Sequence, residues 1–453
     1  MSLQWGGRFS APPDAELLAF GSSLEEDLVL APFDLTCSRA HVAALRGGEI
    51  ISQADADALN DALSVVAGEI VSGEFARFAR GTPFEDIHGA IDARIREIAP
   101  GSGDLLHAGR SRNDQVATTL LLYVRHCARD GAAISRAIAG DIVAKARAEL
   151  AAGTLVAGIT HWQPAQPILL AFWLEAVGEM FARAARRFDV VVTDSSVACP
   201  LGSGAIAGSS LPLDRAAAAR ALGFKAPSCN AMDAIGTRDL ALDVAHAYVR
   251  AVVDASRVSE ELVLWCTPAF GYARLSDEAS TGSSLMPQKR NPDPFELVRS
   301  QGAALNGAYA GALGTLCGLA LSYHRDLQTT KALCMSVIVK GNATMRAFGR
   351  ALSNVTFDRE RMTERAGDGF TVATDLADAL IAVGTTARDA HAQVGEQVAA
   401  AEREGRDLPL GARAAVDEKK TAGSTSPGEV ARALDALEAE LEAAARTMPD
   451  GAS

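Results

Sequence analysis

The chain has 453 residues, a hydrophobic share of 48%, an aromatic share of 5% and a formal net charge of −13. This length predicts several domains with sizeable cores, and the abundance of alanine and leucine favours close-packed helices over β-sandwiches. The acidic balance argues against nucleic acid or an anionic membrane surface as a partner, although a few local Lys and Arg residues suffice to bind an anionic substrate.

The sequence predicts a soluble cytoplasmic protein. Its seven cysteines are dispersed without a Cys-x-x-Cys pair, as expected for reduced thiols and not for a zinc site. Residues 1–13 lack the basic-then-apolar pattern of a signal peptide, and Glu175 and Glu179 interrupt the most apolar stretch, 168–181. We therefore expect no membrane-spanning segment.

Helical periodicity runs along most of the chain. Leu59, Leu63, Val66 and Ile70 recur at helical spacing after Ser52, which is a candidate N-cap. Longer helices are predicted in five further places. One begins after Asn113 and ends at Ala152, another begins after Pro167 and includes Phe181, and the others span 240–264, 295–313 and 427–446. No alternation of apolar and polar residues is strong enough to predict a sheet.

These patterns predict an all-α fold with three helical domains. We place the domains at 1–108, 109–360 and 361–453, because glycines and charges interrupt the helical pattern near both boundaries. The middle domain would be a bundle of long helices. A long apolar bundle normally needs more partners than one chain supplies, so we expect a homo-oligomer.

The most informative segment is residues 280–292, with the sequence STGSSLMPQKRNP (the 280–292 loop). Pro287 and Pro292 prevent a continuous helix, while Gly282 and its neighbouring serines provide a mobile backbone with free N–H groups. Lys289 adds a cation. Such a loop can close over a carboxylate-bearing substrate and exclude water. By itself the segment is also compatible with an ordinary solvated connection.

Two further polar segments precede predicted helices. Residues 109–115 (GRSRNDQ) lead into a long helix whose N-terminus would attract an anion, with Ser111 or Asn113 as the cap. Residues 158–167 contain His161. A lone histidine near a helix start is more often structural than catalytic, but the threonine and glutamines in the same turn favour a functional role.

Two more segments lie towards the C-terminal side. Residues 230–239 form a polar turn in which Arg238 and a nearby aspartate are compatible with a simple structural ion pair. In residues 323–331 (YHRDLQTTK), Gln328 and Lys331 are three positions apart and would share one face of a helix. A solvated helical face would have a similar sequence.

Taken in this order, the polar segments resemble the argininosuccinate lyase family of the fumarase/aspartase superfamily. The resembling segments are WGGRF at 5–9, EDIH at 85–88, 109–115, Thr160-His161, Gln166-Pro167, PLGSGA at 200–205, 230–239, the 280–292 loop and RDLQ at 325–328. The chain departs from common family residues at Cys37, His324, Thr329 and Thr330. These departures bear on substrate affinity and leave every proposed catalytic group in place.

The resemblance implies reversible β-elimination of argininosuccinate to L-arginine and fumarate, in arginine biosynthesis. Removal of the proton next to a carboxylate builds a dianionic aci-carboxylate, so the site must stabilise charge that the ground state lacks. Acid–base groups and charge stabilisation suffice for this reaction. No metal and no organic cofactor is therefore expected.

The resemblance also implies catalytic roles. Ser283 would be the base, and Lys289 would face the aci-carboxylate with help from Asn291. His161 would protonate the leaving nitrogen or hold the substrate, with Glu296 as its carboxylate partner. An alternative assigns the base to His161, and the sequence leaves both assignments open.

Binding positions follow from the same resemblance. Those for the succinate carboxylates are Ser111, Arg112, Asn113 and Thr160. Those around the rest of the substrate are Tyr323, Gln328 and Lys331, with His88 lining the site and Asp34 and Ser38 in an N-terminal segment that closes over the arginine end.

The family further implies a homotetramer in which different subunits assemble each site. Long helices separate the polar segments by tens of ångströms within one chain, and shared sites would solve that problem. Three other interpretations stay open: another fumarate-releasing lyase such as adenylosuccinate lyase, a non-catalytic crystallin-like structural protein, and a helical interaction scaffold.

Overall fold

The computed structural model describes residues 14–81 and 84–447. The predicted WGGRF segment at 5–9 lies outside the described residues. Within them the chain is helical throughout its length, with short strands between helices. The helices are α1 Ala15–Gly21, α2 Leu24–Asp27, α3 Ala31–Gly47, α4 Gln53–Ser72, α5 Glu74–Arg80, α6 Ile87–Ile98, α7 Ser102–Leu105, α8 Arg112–Ala152, α9 Leu170–Asp194, α10 Arg215–Ala221, α11 Ala231–Gly236, α12 Asp239–Trp265, α13 Asp293–Gly314, α14 Asp326–Ser353, α15 Arg359–Glu364, α16 Ala373–Ala382, α17 Ala387–Glu404, α18 Ala412–Asp417 and α19 Pro427–Thr447.

The predicted all-α fold and its long helices are confirmed. The predicted segments 240–264, 295–313 and 427–446 correspond to α12, α13 and α19 within two residues at each end. The predicted N-cap is also confirmed, because the Ser52 side chain accepts from the Asp55 N–H and the Asp55 carboxylate accepts from the Ser52 N–H. Local periodicity and capping are therefore sufficient to locate these helices.

The short strands were not predicted. They are β1 Leu155–Thr160, β2 Gln163–Leu169, β3 Ala198–Cys199, β4 Ala226–Pro227, β5 Ala273–Leu275 and β6 Val355–Phe357, paired β1 with β2, β3 with β4 and β5 with β6. Prolines obscured the β1–β2 hairpin, since Pro164 and Pro167 interrupt its alternation. In a two-stranded ribbon one edge of each strand is unpaired, so a proline is tolerated there.

The hairpin defines the setting of His161, which the sequence placed in a polar turn before the helix that follows Pro167. Thr160 pairs with Gln163, so His161 and Trp162 form a two-residue turn and do not begin a helix. Both turn residues have left-handed backbones, with φ of 52° for His161 and 61° for Trp162. Type I′ hairpin turns require this conformation, which is unusual for a tryptophan.

The described chain divides into two compact units. Unit 1 takes its described residues from Met1–Asp130, Phe188–Tyr248 and Leu305–Lys340, and unit 2 takes its own from Gly131–Arg187, Val249–Ala304 and Gly341–Ser453. These units are grouped by contacts between segments distant in sequence. The three-domain division along the chain stays a prediction.

Each unit has its own apolar core. In unit 1, α3 packs against α4 and α10, and Cys37, Leu122 and Phe224 are buried together. In unit 2, the Phe181 and Phe348 rings stack with centroids 5.2 Å apart. By length and composition alone, Ala15–Gly47 passes as a candidate membrane span, but 61% of the qualifying window is buried in the protein, as is usual for a core helix.

Candidate active site

Unit 1 contains a cavity of about 130 Å³ (the unit 1 cavity). It is bounded by the chain before α3, the start of α6, the N-terminus of α8, the turn before α12 and the start of α14. Its lining residues are Ser23, Asp27, Glu85, Asp86, His88, Arg112, Asn113, Val116, Arg238, Tyr323, Arg325, Leu327, Gln328 and Lys331. Six of the predicted substrate-binding residues are among them: His88, Arg112, Asn113, Tyr323, Gln328 and Lys331.

A buried ion pair forms one wall of the unit 1 cavity. The Lys331 ammonium contacts the Asp27 carboxylate, and Ser23 Oγ donates to the second Asp27 oxygen at 2.6 Å. Gln328, on the same face of α14, donates to the Gly21 carbonyl at 3.1 Å. The predicted shared face of Gln328 and Lys331 is confirmed, and it holds the chain before α3 against the start of α14.

Two further ion pairs lie on the cavity wall. Arg112 is 3.4 Å from the Asp86 carboxylate, and Arg325 pairs with Glu85. Burial alone would raise the pKa of Asp86, but the nearby charges of Arg112 and His88 lower it overall. Asp86 is therefore a carboxylate at neutral pH, and the cavity wall is strongly charged in both signs.

Asp34 and Ser38 are not among the residues that line the unit 1 cavity, and their predicted role in a segment that closes over the arginine end stays a prediction. Both are fully buried in α3. Asp34 Oδ1 is 2.8 Å from His88 Nδ1 and also accepts from Gln115 Nε2 at 2.8 Å. Ser38 Oγ accepts from Arg110 at 3.0 Å. These residues hold the cavity wall from behind.

In the Asp34–His88 pair, the surroundings favour the ionised form of Asp34. Burial alone would raise the pKa of Asp34, but the charges of His88 and Arg110 and the hydrogen bonds from His88 and Gln115 lower it to about 2. The ionised Asp34 fixes the His88 ring through Nδ1. Nε2 of His88 is buried without a hydrogen-bond partner among the described residues, so this atom is available to a ligand.

The N-terminus of α8 has the expected form of an anion site. The helix begins at Arg112, and Ser111 Oγ accepts from the Asn113 N–H at 3.2 Å, which confirms Ser111 as the cap. The Asn113 side chain donates to the Ala205 carbonyl at 3.0 Å. The first turn of α8 borders the unit 1 cavity through Arg112 and Asn113, so the positive end of the helix dipole lies at the cavity wall.

Asp114 ties this helix start to the glycine turn at 202–204. One of its oxygens accepts from the N–H groups of Gly202 and Gly204, each at 2.9 Å, and the other accepts from the Ser111 N–H at 2.9 Å. Gly204 has φ of 63°, and a Cβ there would lie 2.6 Å from the Gly208 carbonyl oxygen. Only glycine allows the backbone at position 204 to lie so close to Gly208, in the conformation that donates its N–H to Asp114.

In unit 2, the 280–292 loop is closed at its neck by a β-bridge. The N–H of Thr281 donates to the Asn291 carbonyl at 3.2 Å and the Asn291 N–H donates back at 2.9 Å. Inside the loop, Ser283 Oγ accepts from the N–H groups of Leu285 at 3.2 Å and Met286 at 3.0 Å. Two donors on one hydroxyl oxygen favour negative charge on that oxygen.

The cations of the loop differ in their settings. Arg290 donates to the Leu275 carbonyl at 3.1 Å and pairs with Asp277 at 2.5 Å, so it anchors the loop to β5. Lys289 is exposed. Its ammonium has no hydrogen bond or ion pair within the described part of the chain, which leaves it available to a substrate. A cavity of about 450 Å³ lies behind the loop neck.

The remaining predicted residues of unit 2 are also exposed. Thr160 and His161 lie at the tip of the β1–β2 hairpin, and Glu296 lies in the first turn of α13. No hydrogen bond or ion pair joins His161 to Glu296 in residues 14–81 and 84–447, so their pairing stays a prediction. The exposure of all three leaves them free to contact another molecule.

The predicted site residues therefore form two groups. Unit 1 holds Asp34, Ser38, His88, Ser111, Arg112, Asn113, Tyr323, Gln328 and Lys331, and unit 2 holds Thr160, His161, Ser283, Lys289, Asn291 and Glu296. Sequence reasoning missed Ser23, Asp27 and Asp86 on the cavity wall. Nothing in the sequence distinguished Asp27 from the neighbouring Glu25 and Glu26.

Two family models match the chain. One, described as lyase, covers residues 7–307, and the other, described as argininosuccinate lyase C-terminal, covers residues 370–438. The first match alone spans more than half of the chain. It includes the 280–292 loop and the polar segments at 85–88, 109–115, 158–167 and 230–239.

Named relatives agree with these models. Argininosuccinate lyase of Corynebacterium glutamicum (strain R) is 41% identical over 405 residues, covering 89% of this chain and 84% of the relative. The enzyme of the same name from Hyphomonas neptunium is 40% identical over 408 residues, covering 90% of this chain and 86% of the relative.

Solved structures show the same fold. An EDDS lyase in complex with formate superposes with a TM-score of 0.80 at 23% identity, covering 95% of this chain and 89% of that one. A fumarate lyase from Mesorhizobium sp. BNC1 gives a TM-score of 0.70 at 17% identity, covering 96% of this chain and 99% of that one.

Proposed function

The chain belongs to the argininosuccinate lyase family: it is a carbon–nitrogen lyase that converts argininosuccinate to L-arginine and fumarate, and we propose that the two groups of residues divide this reaction between them. The group of residues in unit 2 carries out the proton transfers and stabilises the new negative charge. The charged cavity of unit 1 binds the rest of the substrate.

The observation that carries the mechanism is the hydrogen bonding of Ser283. A serine hydroxyl is a poor base unless its alkoxide is stabilised. The N–H groups of Leu285 and Met286 already point at Oγ, and the free ammonium of Lys289 belongs to the same loop. We assign Ser283 to removal of the proton next to the carboxylate, with Lys289 and Asn291 stabilising the aci-carboxylate that forms.

Collapse of this intermediate breaks the C–N bond and releases fumarate. The electron pair of the broken bond goes to nitrogen, so the substrate guanidinium departs as a neutral guanidine, a strong base that takes up a proton to become the guanidinium of arginine. We assign that proton transfer to His161, with Glu296 favouring its charged form. The alternative, in which His161 is the base, makes different predictions for Ser283 variants, as argued in the Discussion.

Substrate binding uses both groups. We assign the succinate carboxylates to Ser111, Arg112, Asn113 and Thr160, because the capped start of α8 and the exposed hairpin tip offer donors to anions. We assign the arginine end to the unit 1 cavity, whose wall includes His88, Tyr323, Gln328 and Lys331. Asp34 and Ser38 support this wall indirectly.

The assembly completes the proposal. We propose a homotetramer in which groups from different subunits meet in shared sites, a cytoplasmic location, and the domain division 1–108, 109–360 and 361–453. We propose no membrane or nucleic-acid partner, in keeping with the net charge of −13. The chemistry requires no metal or organic cofactor.

The test is the appearance of fumarate, followed by its ultraviolet absorbance, when the purified protein receives argininosuccinate. Adenylosuccinate, malate and aspartate run in parallel. We expect fumarate from argininosuccinate alone. Fumarate from adenylosuccinate instead would overturn the substrate, and no product from any of the four by the folded protein would favour a crystallin-like structural role.

A further inference from the structure

Arg238 is a buried cation that the proposed mechanism does not use. It lies in the turn between α11 and α12, it is 4% exposed, and it lines the unit 1 cavity. Its Nη1 donates to the carbonyls of Thr237 at 2.6 Å and Ile235 at 3.1 Å. Its Nε is buried without a hydrogen-bond partner among the described residues.

The backbone brings this turn to the cavity. A Cβ at Gly236 would lie 2.7 Å from the Ser322 carbonyl oxygen, so only glycine permits so close an approach between the two segments. Ser322 itself has φ of 80°, which is unusual for a serine. The approach places Arg238 beside the chain that carries Tyr323.

The charges on the cavity wall do not balance. Lys331, Arg112 and Arg325 each pair with a carboxylate of the same wall, namely Asp27, Asp86 and Glu85. Arg238 has no such partner within residues 14–81 and 84–447, so the simple structural ion pair with a nearby aspartate that the sequence left open is not formed there. The cavity therefore carries one uncompensated buried positive charge.

Such a charge is unfavourable in the free protein. Burial lowers the pKa of Arg238 to about 10, although Tyr323 and Cys334 oppose this. A helix-capping role accounts for the two bonds from Nη1 to carbonyls at the end of α11. It does not account for a guanidinium with an unused donor on a cavity wall, which is the arrangement expected for binding a carboxylate.

We propose that Arg238 binds the α-carboxylate at the arginine end of the substrate and so makes the enzyme specific for an α-amino acid over the corresponding decarboxylated amine. This inference rests on the proposed function, in which the arginine end occupies the unit 1 cavity. The substrate carboxylate neutralises the uncompensated charge, while the paired residues of the same wall remain paired. Arg238 is thus a specificity-determining residue and takes no part in proton transfer.

The test compares arginine with agmatine, which lacks only the carboxylate, as inhibitors of fumarate release from argininosuccinate. For the wild-type enzyme we expect agmatine to bind about 10- to 100-fold more weakly than arginine, the range for one charge-assisted hydrogen-bonded contact. In Arg238→Met this ratio should fall to within about threefold. Arg238→Lys keeps the charge and should restore part of the ratio.

Arg325→Met is the matched control, since it removes a cation that is already paired on the same wall. It should weaken arginine and agmatine by similar factors and leave their ratio near that of the wild type. If Arg238→Met fails to fold, Arg238→Gln takes its place, because the amide still donates to the carbonyls of Ile235 and Thr237. Circular dichroism establishes that each variant is folded.

The outcomes separate this inference from the proposed function. Absence of fumarate from argininosuccinate with the wild-type enzyme would overturn the function itself. Fumarate release with equal inhibition by arginine and agmatine would overturn only the role of Arg238. Equal weakening of both inhibitors in the Arg238 variants would also overturn it, because a purely structural residue affects both ligands alike.

Discussion

Ser283 Oγ lies 3.0 Å from the backbone nitrogen of Met286, inside a loop whose neck is closed by a β-bridge. This hydrogen bond holds the hydroxyl oxygen at a fixed place in a segment that is otherwise exposed. It also supplies part of the stabilisation that an alkoxide needs. The proposed role of Ser283 as the base therefore rests on a hydroxyl whose position is fixed by the backbone of its own loop.

Replacement of Ser283 tests its role as the base. Ser283→Ala should lower turnover by several orders of magnitude, because it removes the hydroxyl oxygen that accepts the N–H groups of Leu285 and Met286. Ser284→Ala is the matched control, since Ser284 is exposed and makes no side-chain hydrogen bond within the described chain. Steady-state fumarate release measures both. Near-normal turnover in Ser283→Ala would transfer the base role to His161.

Replacement of Lys289 tests whether its ammonium stabilises the negative charge of the aci-carboxylate. Lys289→Met should lower kcat strongly with a smaller change in KM, because the aci-carboxylate carries more negative charge than the substrate. Gln288→Met changes the neighbouring exposed side chain of the same loop and should have little effect. A variant whose KM alone rises would show that Lys289 binds substrate and transition state equally.

The Asp34–His88 pair predicts a pH-dependent contribution to stability. The pKa of Asp34 is about 2 in the folded protein against 3.8 ordinarily, so its contribution is present above the ordinary value and is lost as the pH falls through about 2. This difference in the pKa of Asp34 between the folded and unfolded states contributes about 2 kcal/mol to the free energy of unfolding at neutral pH. Asp34→Asn should lower the free energy of unfolding by about 3 kcal/mol at neutral pH, because it breaks a buried pair.

Urea unfolding at neutral pH and at about pH 3 measures this difference. The gap between wild type and Asp34→Asn should narrow at the lower pH, where the wild-type pair weakens. Asp61→Asn, on the exposed surface of α4, should leave the free energy of unfolding nearly unchanged. A gap that does not depend on pH would contradict an ionised Asp34.

The pKa of Asp114 predicts that substrate binding weakens at acidic pH. Burial raises the pKa of Asp114 to about 6, although the N–H groups of Gly204, Ser111 and Gly202 and the charge of Arg110 oppose this. The raised value favours folding below the ordinary pKa and loses this contribution as the pH rises through about 6. Substrate binding is expected to show the opposite pH dependence and to weaken as the pH falls. The reason is that only the ionised carboxylate of Asp114 can accept all three N–H groups.

We therefore expect the wild-type KM to rise as the pH falls through about 6, as the start of α8 loosens from the glycine turn. Asp114→Asn should have a raised KM throughout and should lose this pH dependence. The pH profiles of KM and kcat, measured separately, provide the check. An unchanged KM profile in the variant would show that Asp114 does not position the carboxylate-binding residues.

The hairpin shows why part of the local structure could not be predicted from the sequence. Pro164 and Pro167 suggested a rigid approach to a helix, yet they lie in β2, where the unpaired edge tolerates them. The turn at His161 and Trp162 needs a left-handed backbone, and neither residue type indicates that conformation. The pairing of β1 with β2 stabilises the left-handed backbone of the turn, and this pairing involves residues outside the turn.

The sequence by itself determined the long helices, the cap at Ser52, the 280–292 loop and the family, because each depends on residues that are neighbours along the chain. Only the tertiary structure decided that Asp34 supports His88 from behind, that Asp27 pairs with Lys331, and that Arg238 lacks a carboxylate. Such pairings join segments far apart in sequence. Their energies depend on burial and distance, which the order of residues does not contain.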